Sequence, residues 1–318
     1  MVTVLGIDAG QSGSRLRLHM PGGAEMSWTG AGIPPGMTPL QAMTGPLLDS
    51  AVQRLRDAGL DAPAVVGASL SGFHGGATDA GKALEVWSEA LGVRRLSLTD
   101  DAVTSYLGAL GDASGAVVAA GTGVTVLASS GVTSIRVNGW GPTLGDEGGG
   151  YWIGQEGLRS AYRWLDGRRG SERLAAEAQA TFGGLTELPG TLAASEDRIA
   201  MIASFSRNVA AAAHLLDAEA NRIWAQAGQE LARAALAALR RISESDADVA
   251  DVARISWNGS LFEAGDLLLS PFRNAIRSTL PGARIVGPQS DSLHGALELT
   301  QNDKVTRFGA LIDTAEIG

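Results

Sequence analysis

A glycine-rich segment over residues 137–153 carries the densest group of residues suited to binding a polar molecule. Its sequence is V-N-G-W-G-P-T-L-G-D-E-G-G-G-Y-W-I, and glycine at this density is expected where backbone must approach another group closely. Asp146 with Gly148–Gly150 at a predicted helix start would place an acceptor beside several free backbone donors. Three large aromatic residues need packing partners, which argues against a flexible loop: Trp140, Tyr151 and Trp152. The segment predicts a polar pocket floor for a hydroxylated ligand.

The N-terminal residues have the pattern of a phosphate-binding hairpin. A short apolar strand ends at Asp8, the turn Ala9–Gly13 follows, and residues 14–19 alternate apolar and polar side chains as a second strand. Backbone N–H groups of the turn and the Ser12 hydroxyl could cradle phosphate oxygens, while Asp8 could hold a hydrated Mg²⁺. On this spacing alone, an ordinary hairpin turn explains the pattern about equally well.

Two adjacent aspartates, Asp100 and Asp101, follow a predicted strand at residues 94–98 and precede a predicted helix at 102–110. A carboxylate at the carboxyl end of a strand lies where active sites of α/β folds form. The simpler interpretation is a helix cap, which needs only one aspartate. Two aspartates allow one to cap the helix while the other faces a cleft.

The strand–turn–strand pattern recurs after a polar break at residues 111–114. Residues 116–120 form a predicted strand, Gly121-Thr122-Gly123 a tight turn and residues 124–129 another strand, followed by a third strand at 132–137. The repeat predicts an α/β fold with two similar domains, residues 1–111 and 112–318, that face each other across a cleft. A last helix at 291–299 could pack back on the N-terminal domain.

Composition narrows the classes of function. The 318 residues carry a net charge of −9 without a basic cluster, which argues against a nucleic-acid groove. Neither a membrane span nor a signal peptide is predicted, so the expected location is the cytoplasm. Cysteine is absent, which excludes disulfides, thiolate zinc sites, cysteine nucleophiles and cysteine-ligated iron–sulfur clusters.

The order of these motifs resembles the sugar kinase, Hsp70 and actin superfamily of ATP-dependent phosphotransferases. Within it, D-A-G-Q-S-G-S-R, T-D-D-A, A-G-T-G and G-W-G-P-T-L-G-D-E-G-G-G-Y-W-I-G resemble the BadF/BadG/BcrA/BcrD ATPase family, which includes N-acetylglucosamine kinases. The resemblance covers nearly the whole chain. It implies two ribonuclease-H-like (actin-like ATPase) domains around a nucleotide and sugar cleft, with ATP and Mg²⁺ as cofactors and an amino sugar as substrate. Homodimers are common in the superfamily.

The resemblance also implies roles for matched positions. Asp8 would position Mg²⁺ through water, and Asp101 would be the general base on the sugar hydroxyl. The residues implied to bind ATP and its phosphates are Gly10, Gln11, Ser12, Gly121, Thr122, Gly123, Gly259 and Ser260. Those implied to contact the sugar are Asp101, Thr122, Gly139, Trp140 and Asp146. Glu147 could orient Asp146 or assist Mg²⁺ through water.

One departure from the family pattern leaves the substrate open. Sugar kinases of this family commonly carry an asparagine in the loop after the third strand, and residues 30–36 contain none. N-acetylglucosamine phosphorylated at its 6-hydroxyl is the first hypothesis, with glucosamine or N-acetylmuramate as alternatives. A non-catalytic ATP-dependent sensor is the alternative of another class, although Asp8 and Asp101 argue against it. Acetate-kinase-like or pantothenate-kinase-like activity would leave the Trp140–Asp146 pocket unexplained, and the cysteine-dependent activator branch is excluded.

Overall fold

The computed structural model describes residues 2–11, 13–34, 36–73, 80–245 and 254–317. Its strands, in chain order, are β1 Val4–Ala9, β2 Ser14–His19, β3 Glu25–Gly30, β4 Val65–Leu70, β5 Arg95–Thr99, β6 Gly115–Ala120, β7 Val124–Ser129, β8 Ser134–Asn138, β9 Arg254–Asn258, β10 Arg284–Ile285 and β11 Asp313–Glu316. Its helices are α1 Pro39–Thr44, α2 Pro46–Ala58, α3 Ala80–Leu91, α4 Asp101–Leu110, α5 Gly150–Leu165, α6 Glu172–Phe182, α7 Leu188–Ala194, α8 Arg198–Ser204, α9 Ser206–His214, α10 Ala218–Ser245, α11 Asp266–Thr279, α12 Ser292–Glu298 and α13 Asn302–Phe308.

The chain forms two compact units. Unit 1 comprises residues 1–113, 129–134 and 287–318, and unit 2 comprises residues 114–128 and 135–286. The division therefore differs from a single boundary after residue 111, because the chain returns to unit 1 twice. The second return carries α12, as expected for a last helix, and also α13 and β11, which the sequence pattern did not indicate. Both of these elements are too short to show a clear periodicity.

Unit 1 is built on a six-stranded sheet in the order β11-β5-β4-β1-β2-β3. Strands β1, β4 and β5 run parallel, and the other three are antiparallel to their neighbours. One face of the sheet is apolar and is covered by α1, α2 and α3. The other face carries small and polar residues in register across β1, β4 and β5: Gly6 beside Gly67 and Ser97, then Asp8 beside Ser69 and Thr99.

The apolar spacing from Pro39 to Leu55 predicts a single helix, but the structure contains two helices in this range. Thr38 caps α1 with a reciprocal capping box to Gln41, and the chain breaks at Gly45 before Pro46 begins α2. Proline cannot continue a helix but suits its first turn, which explains the new start. Helix α2 then buries Leu47, Leu48, Ala51 and Leu55 against the sheet.

Unit 2 is built on a five-stranded sheet in the order β10-β9-β6-β7-β8, with β6, β9 and β10 parallel. Helices α5 to α11 form its core with the sheet, and α7 and α9 were not predicted. Helix α5 packs closely against α8 at Gly154. A Cβ at this position would lie 1.9 Å from the Ile202 carbonyl oxygen of α8. In the described ranges no single helix is long and apolar enough to cross a membrane; the pair 198–214 and 218–245, bent by 119°, meets that criterion together by length and composition.

Candidate functional site

In unit 1, the carboxyl ends of three parallel strands lie side by side. Asp8 in β1 is in register with Ser69 in β4, which is in register with Thr99 in β5. The turns that follow these strands therefore share one edge of the sheet, which is where ligands bind in open α/β sheets. Asp8, Gly10, Gln11 and Asp101 all lie at this edge.

The turn after β1 is closed by backbone contacts. The Gly10 N–H donates to the Gly13 carbonyl at 2.9 Å, and the Ile33 N–H donates to the Gly10 carbonyl at 2.8 Å. A Cβ on Gly32 would lie 2.1 Å from the Gln11 carbonyl oxygen, so the loop after β3 packs directly on this turn. Gln11 is exposed, and the predicted phosphate-binding Ser12 lies outside the described residues.

Asp8 is held by two donors on the same carboxylate oxygen. Arg15 Nη2 donates to Asp8 Oδ2 at 2.5 Å, and the Ser292 hydroxyl donates to it at 2.8 Å. Arg15 Nη1 also donates to Asp291 at 2.9 Å. The sequence motif contained Arg15, but the contribution of Asp291 and Ser292 was missed because they lie almost 300 residues away.

The two adjacent aspartates have different positions. Asp100 is buried and caps α4, because its Oδ1 accepts from the Ala102 and Val103 N–H groups at 3.2 and 3.3 Å. Asp101 is the first residue of α4 and is exposed. The N-terminus of a helix favours a negative charge, so the first turn of α4 suits a carboxylate. One aspartate therefore caps the helix and leaves the other to the solvent-facing edge.

The described residues contain no group of three or more His, Asp or Glu side chains that could hold a metal ion. Mg²⁺ keeps much of its hydration shell in proteins and commonly uses one or two carboxylates with substrate phosphates. Asp8 is suited to that mode, since both of its contacts above use Oδ2 and neither uses Oδ1.

In unit 2, the turn Gly121–Gly123 is joined to the start of α5. The Gly121 N–H donates to the Gly123 carbonyl at 3.0 Å. The Gly150 N–H donates to the Gly121 carbonyl at 2.8 Å, and the Tyr151 N–H to the Thr122 carbonyl at 2.9 Å. The prediction that donors at this helix start are free for a ligand is therefore wrong: they bind the turn.

The three consecutive glycines are explained by backbone packing. A Cβ on Gly150 would lie 2.9 Å from the Gly121 carbonyl oxygen, and one on Gly149 would lie 3.0 Å from that of Thr122. Gly148 has a φ of +84°, and its Cβ would lie 2.7 Å from the Ala227 carbonyl oxygen of α10. The run of glycines thus allows the loop to lie between the turn and α10.

Asp146 is buried against the same turn. Its side-chain oxygen would lie 2.5 Å from a Cβ on Gly123, and the residue is 7% exposed with a φ of +62°. Burial raises the pKa of Asp146, opposed by hydrogen bonds from the Val124 and Gly141 N–H groups, while the charge of Glu147 raises it further. Asp146 thus lies where a ligand hydroxyl at the turn could meet a carboxylate.

Asn138 shapes the loop that carries Asp146. Its backbone has a φ of +65°, which asparagine tolerates better than most residues. Its Oδ1 accepts from the Gly139 N–H at 2.9 Å and the Asp146 N–H at 2.8 Å, while its Nδ2 donates to Glu147 at 3.3 Å. The Asn-Gly dipeptide at the end of a strand was the signal that the sequence offered for this role.

The aromatic residues of the segment differ in burial. Trp140 is 75% exposed and does not pack in the interior of unit 2. Tyr151 and Trp152 are partly buried against the unit 2 core. Gly139, with a φ of +79°, lies on Thr125, because a Cβ there would be 2.7 Å from the Thr125 hydroxyl oxygen.

The segment after β9 reaches the same turn. Asn258 is in register with Ala119 of β6, and a Cβ on Gly259 would lie 2.2 Å from the Ala120 carbonyl oxygen. Thr122 and Ser260 are both exposed. Unit 2 therefore brings together the turn at Gly121–Gly123, the Asp146 loop and Gly259–Ser260, all of which the sequence had predicted as ligand-binding residues.

Comparison with known proteins agrees with this arrangement of motifs. The chain is 25% identical over 213 residues to the N-acetylmuramic acid/N-acetylglucosamine kinase of Clostridium acetobutylicum, covering 66% of this chain and 68% of that protein. A Chromobacterium violaceum protein proposed to be an N-acetylglucosamine kinase has a similar structure, with a TM-score of 0.73 and 30% identity over 95% of this chain and 99% of that one. A glucokinase of the ROK family from Streptomyces griseus, solved with glucose and AMPPNP, has the same fold at a TM-score of 0.58 and 16% identity, over 94% and 99%. The family model matches residues 5–300, and the chain belongs to the BadF/BadG/BcrA/BcrD ATPase family.

Proposed function

We propose that the protein is an ATP-dependent amino-sugar kinase that transfers the γ-phosphate of ATP to the 6-hydroxyl of N-acetylglucosamine. One observation carries the proposal: an exposed carboxylate, Asp101, lies at the same sheet edge as the Asp8–Gln11 turn in a chain of this ATPase family. The names of the Clostridium and Chromobacterium relatives support an amino sugar as the acceptor.

Phosphoryl transfer requires positioning and neutralisation of oxygen charge more than covalent chemistry. In unit 1, the backbone of Gly10 and Gln11 would meet the β/γ-phosphates together with Ser12, and Asp8 would hold Mg²⁺ through water. Bound Mg²⁺ would neutralise charge on the phosphate oxygens. Asp101 would accept the proton of the sugar hydroxyl, for which a carboxylate within hydrogen-bond reach is sufficient.

In unit 2, the exposed groups around the turn suggest contacts with phosphate, adenosine and sugar. Thr122, with Gly121 and Gly123, would meet phosphate and sugar, and Gly259–Ser260 would flank the adenosine. Gly139, Trp140 and Asp146 would contact the sugar. Asp146 would accept hydroxyl hydrogen bonds, and an exposed indole such as Trp140 offers an apolar face against which a sugar ring can pack.

The acceptor among amino sugars is open to test. The loop after β3 lacks the family's usual asparagine, and Gly32 in that loop has no room for a side chain beside Gln11. Selectivity must therefore come from other positions, and glucosamine or N-acetylmuramate are the alternative acceptors. A non-catalytic ATP-dependent sensor is the alternative of another class. A cytoplasmic location, a homodimer, and the absence of nucleic-acid and membrane partners stay predictions.

A coupled assay of ADP release tests the proposal. The purified protein is given MgATP with N-acetylglucosamine, glucosamine, N-acetylmuramate or glucose, and the 6-deoxy form of the best sugar serves as the matched control. We expect N-acetylglucosamine to stimulate ADP release most and its 6-deoxy form not to. Stimulation by another amino sugar would replace the acceptor, and nucleotide binding without stimulation by any sugar would favour the sensor.

A further inference from the structure

Helix α12 is fixed against both β1 and α4 by close backbone approach. A Cβ on Gly295 would lie 1.9 Å from the Thr104 carbonyl oxygen, and one on Gly108 would lie 2.1 Å from that of Asp291. On the sheet side, a Cβ on Gly6 of β1 would lie 3.0 Å from the Leu297 backbone nitrogen, and one on Gly67 of β4 would lie 2.3 Å from the Ala296 carbonyl oxygen. The Ser290 N–H also donates to the Gly108 carbonyl at 2.7 Å. The start of α12 therefore has little freedom to shift relative to the strand that carries Asp8.

The first residues of α12 use this fixed position to contact Asp8 and Arg15. Asp291 Oδ1 caps the helix by accepting from the His294 N–H at 3.0 Å, and its Oδ2 accepts from Arg15 Nη1 at 2.9 Å. The Ser292 hydroxyl donates to Asp8 Oδ2 at 2.8 Å and accepts from Arg15 Nη2 at 2.9 Å. Asp8, Arg15, Asp291 and Ser292 thus form a closed network in which Asp8 is held through one oxygen.

The charges of the network explain why Asp291 is useful to Asp8. An isolated ion pair of Asp8 and Arg15 would be electrically neutral and would attract a hydrated cation only weakly. Asp291 shares the guanidinium, so the three charged groups together carry one net negative charge. Ser292 meanwhile fixes the orientation of the carboxylate without adding charge. The network therefore keeps Asp8 both oriented and attractive to a cation.

We infer that Asp291 and Ser292 are positioning residues for Asp8, which they orient directly and through Arg15 for binding Mg²⁺ with ATP. The inference rests on the proposed function, because it assigns Asp8 to Mg²⁺. Outer contacts to groups that hold a metal typically change metal affinity or activity by 10- to 100-fold when they are removed. Two residues of the C-terminal segment thus contact Asp8 or its partner Arg15.

The test measures binding of a non-hydrolysable ATP analogue by calorimetry, with Mg²⁺ and with EDTA. The variants are Ser292→Ala and Asp291→Asn, since asparagine also caps helices well. Ser278→Ala is the matched control, because Ser278 is exposed on α11 and its hydroxyl donates to the Ala275 carbonyl at 2.9 Å. We expect each test variant to weaken Mg²⁺-dependent binding about 10-fold and to leave binding in EDTA and the melting temperature unchanged.

A double-mutant cycle separates positioning from a structural role. In an Asp8→Asn background, Ser292→Ala should cause no further loss, because its effect passes through Asp8. An unchanged Mg²⁺ dependence, an equal loss in EDTA, or an additive loss in the Asp8→Asn background would overturn the inference. If the wild-type protein binds the analogue equally well with and without Mg²⁺, the assignment of Asp8 to Mg²⁺ is contradicted. Sugar-stimulated ADP release by the wild type then shows whether the kinase proposal survives separately.

Discussion

The candidate sites of the two units differ in whether side chains or backbone groups form them. In unit 1 the proposed catalytic and metal-binding groups are side chains beside an ion pair and a helix cap: Asp8 is paired with Arg15, and Asp100, next to Asp101, caps α4. In unit 2 the Gly121–Gly123 turn offers mainly backbone groups. Backbone hydrogen bonds hold it, and it packs against neighbouring glycines. Two similar strand–turn–strand patterns therefore lead to two kinds of site.

The difference predicts how each site fails. Arg15 and Asp291 have side chains about 40% exposed, at 41% and 39%, and ion pairs exposed to this degree contribute little to stability. Substitutions there should change the function while the fold persists. In and beside the unit 2 turn, Gly123, Gly150 and Gly259 have no space for a Cβ, so substitutions at these positions should act first on the free energy of unfolding.

The largest expected effect on stability is that of Gly259→Ala. Gly259 has φ +103° and ψ +157°, a region that only glycine adopts readily, and its Cβ would lie 2.2 Å from the Ala120 carbonyl oxygen. We expect a loss of about 3–5 kcal/mol in the free energy of unfolding, measured by urea denaturation. Gly59→Ala is the control, because Gly59 also has a positive φ, +62°, in the left-handed helical region, but nothing lies within 4 Å of its Cβ position. Its cost should be about 1–2 kcal/mol; equal costs would contradict the close-packing explanation.

A smaller effect is expected from Asp146→Asn, and its sign depends on pH. Burial raises the pKa of Asp146 in the folded state above its ordinary 3.8, so the folded protein holds this proton more tightly than the unfolded chain does. The resulting stability is fully present below pH 3.8 and is lost as the pH rises through the raised pKa. The variant cannot ionise, so it should gain stability relative to wild type as the pH rises from 3.8. The change should be on the order of 1 kcal/mol in urea denaturation.

We expect the opposite pH dependence of stability for Asp112→Asn in unit 1. The Lys304 ammonium, at 2.5 Å, lowers the pKa of Asp112, which is mostly exposed. Its stabilising contribution is present above pH 3.8 and is lost as the pH falls through the lowered pKa. The stability of the variant relative to wild type should therefore decrease as the pH rises. The same sign for both variants would show that the two carboxylates do not differ as their surroundings imply.

Much of the local structure could be predicted from the sequence. Features that depend on neighbouring residues could be predicted well, because sequence patterns indicate them directly. They include the strand ends near Asp8 and Thr99, the helix cap at Asp100, the exposed Asp101 and the turn at Gly121. The grouping of Gly259 with the turn followed from the family resemblance, not from local signals.

Other features depend on contacts between distant residues. The donors at the start of α5 looked free because their partners, the Gly121 and Thr122 carbonyls, lie about 30 positions earlier in the chain. Ser292 contacts Asp8 from the other end of the sequence, and only the close packing of α12 on glycines brings the two together. A single sequence contains no local signal for such pairs.

The most direct measurement of the central claim compares Asp101→Asn with Asp100→Asn on the best amino sugar. Asp101→Asn should lower kcat by about 100-fold or more, because it removes the general base, while binding of the ATP analogue and the melting temperature stay unchanged. Asp100→Asn should keep most of kcat, because asparagine also serves as a helix cap. A near wild-type kcat for Asp101→Asn would contradict the assignment of the base, and with it the claim that unit 1 carries the chemistry in this side chain.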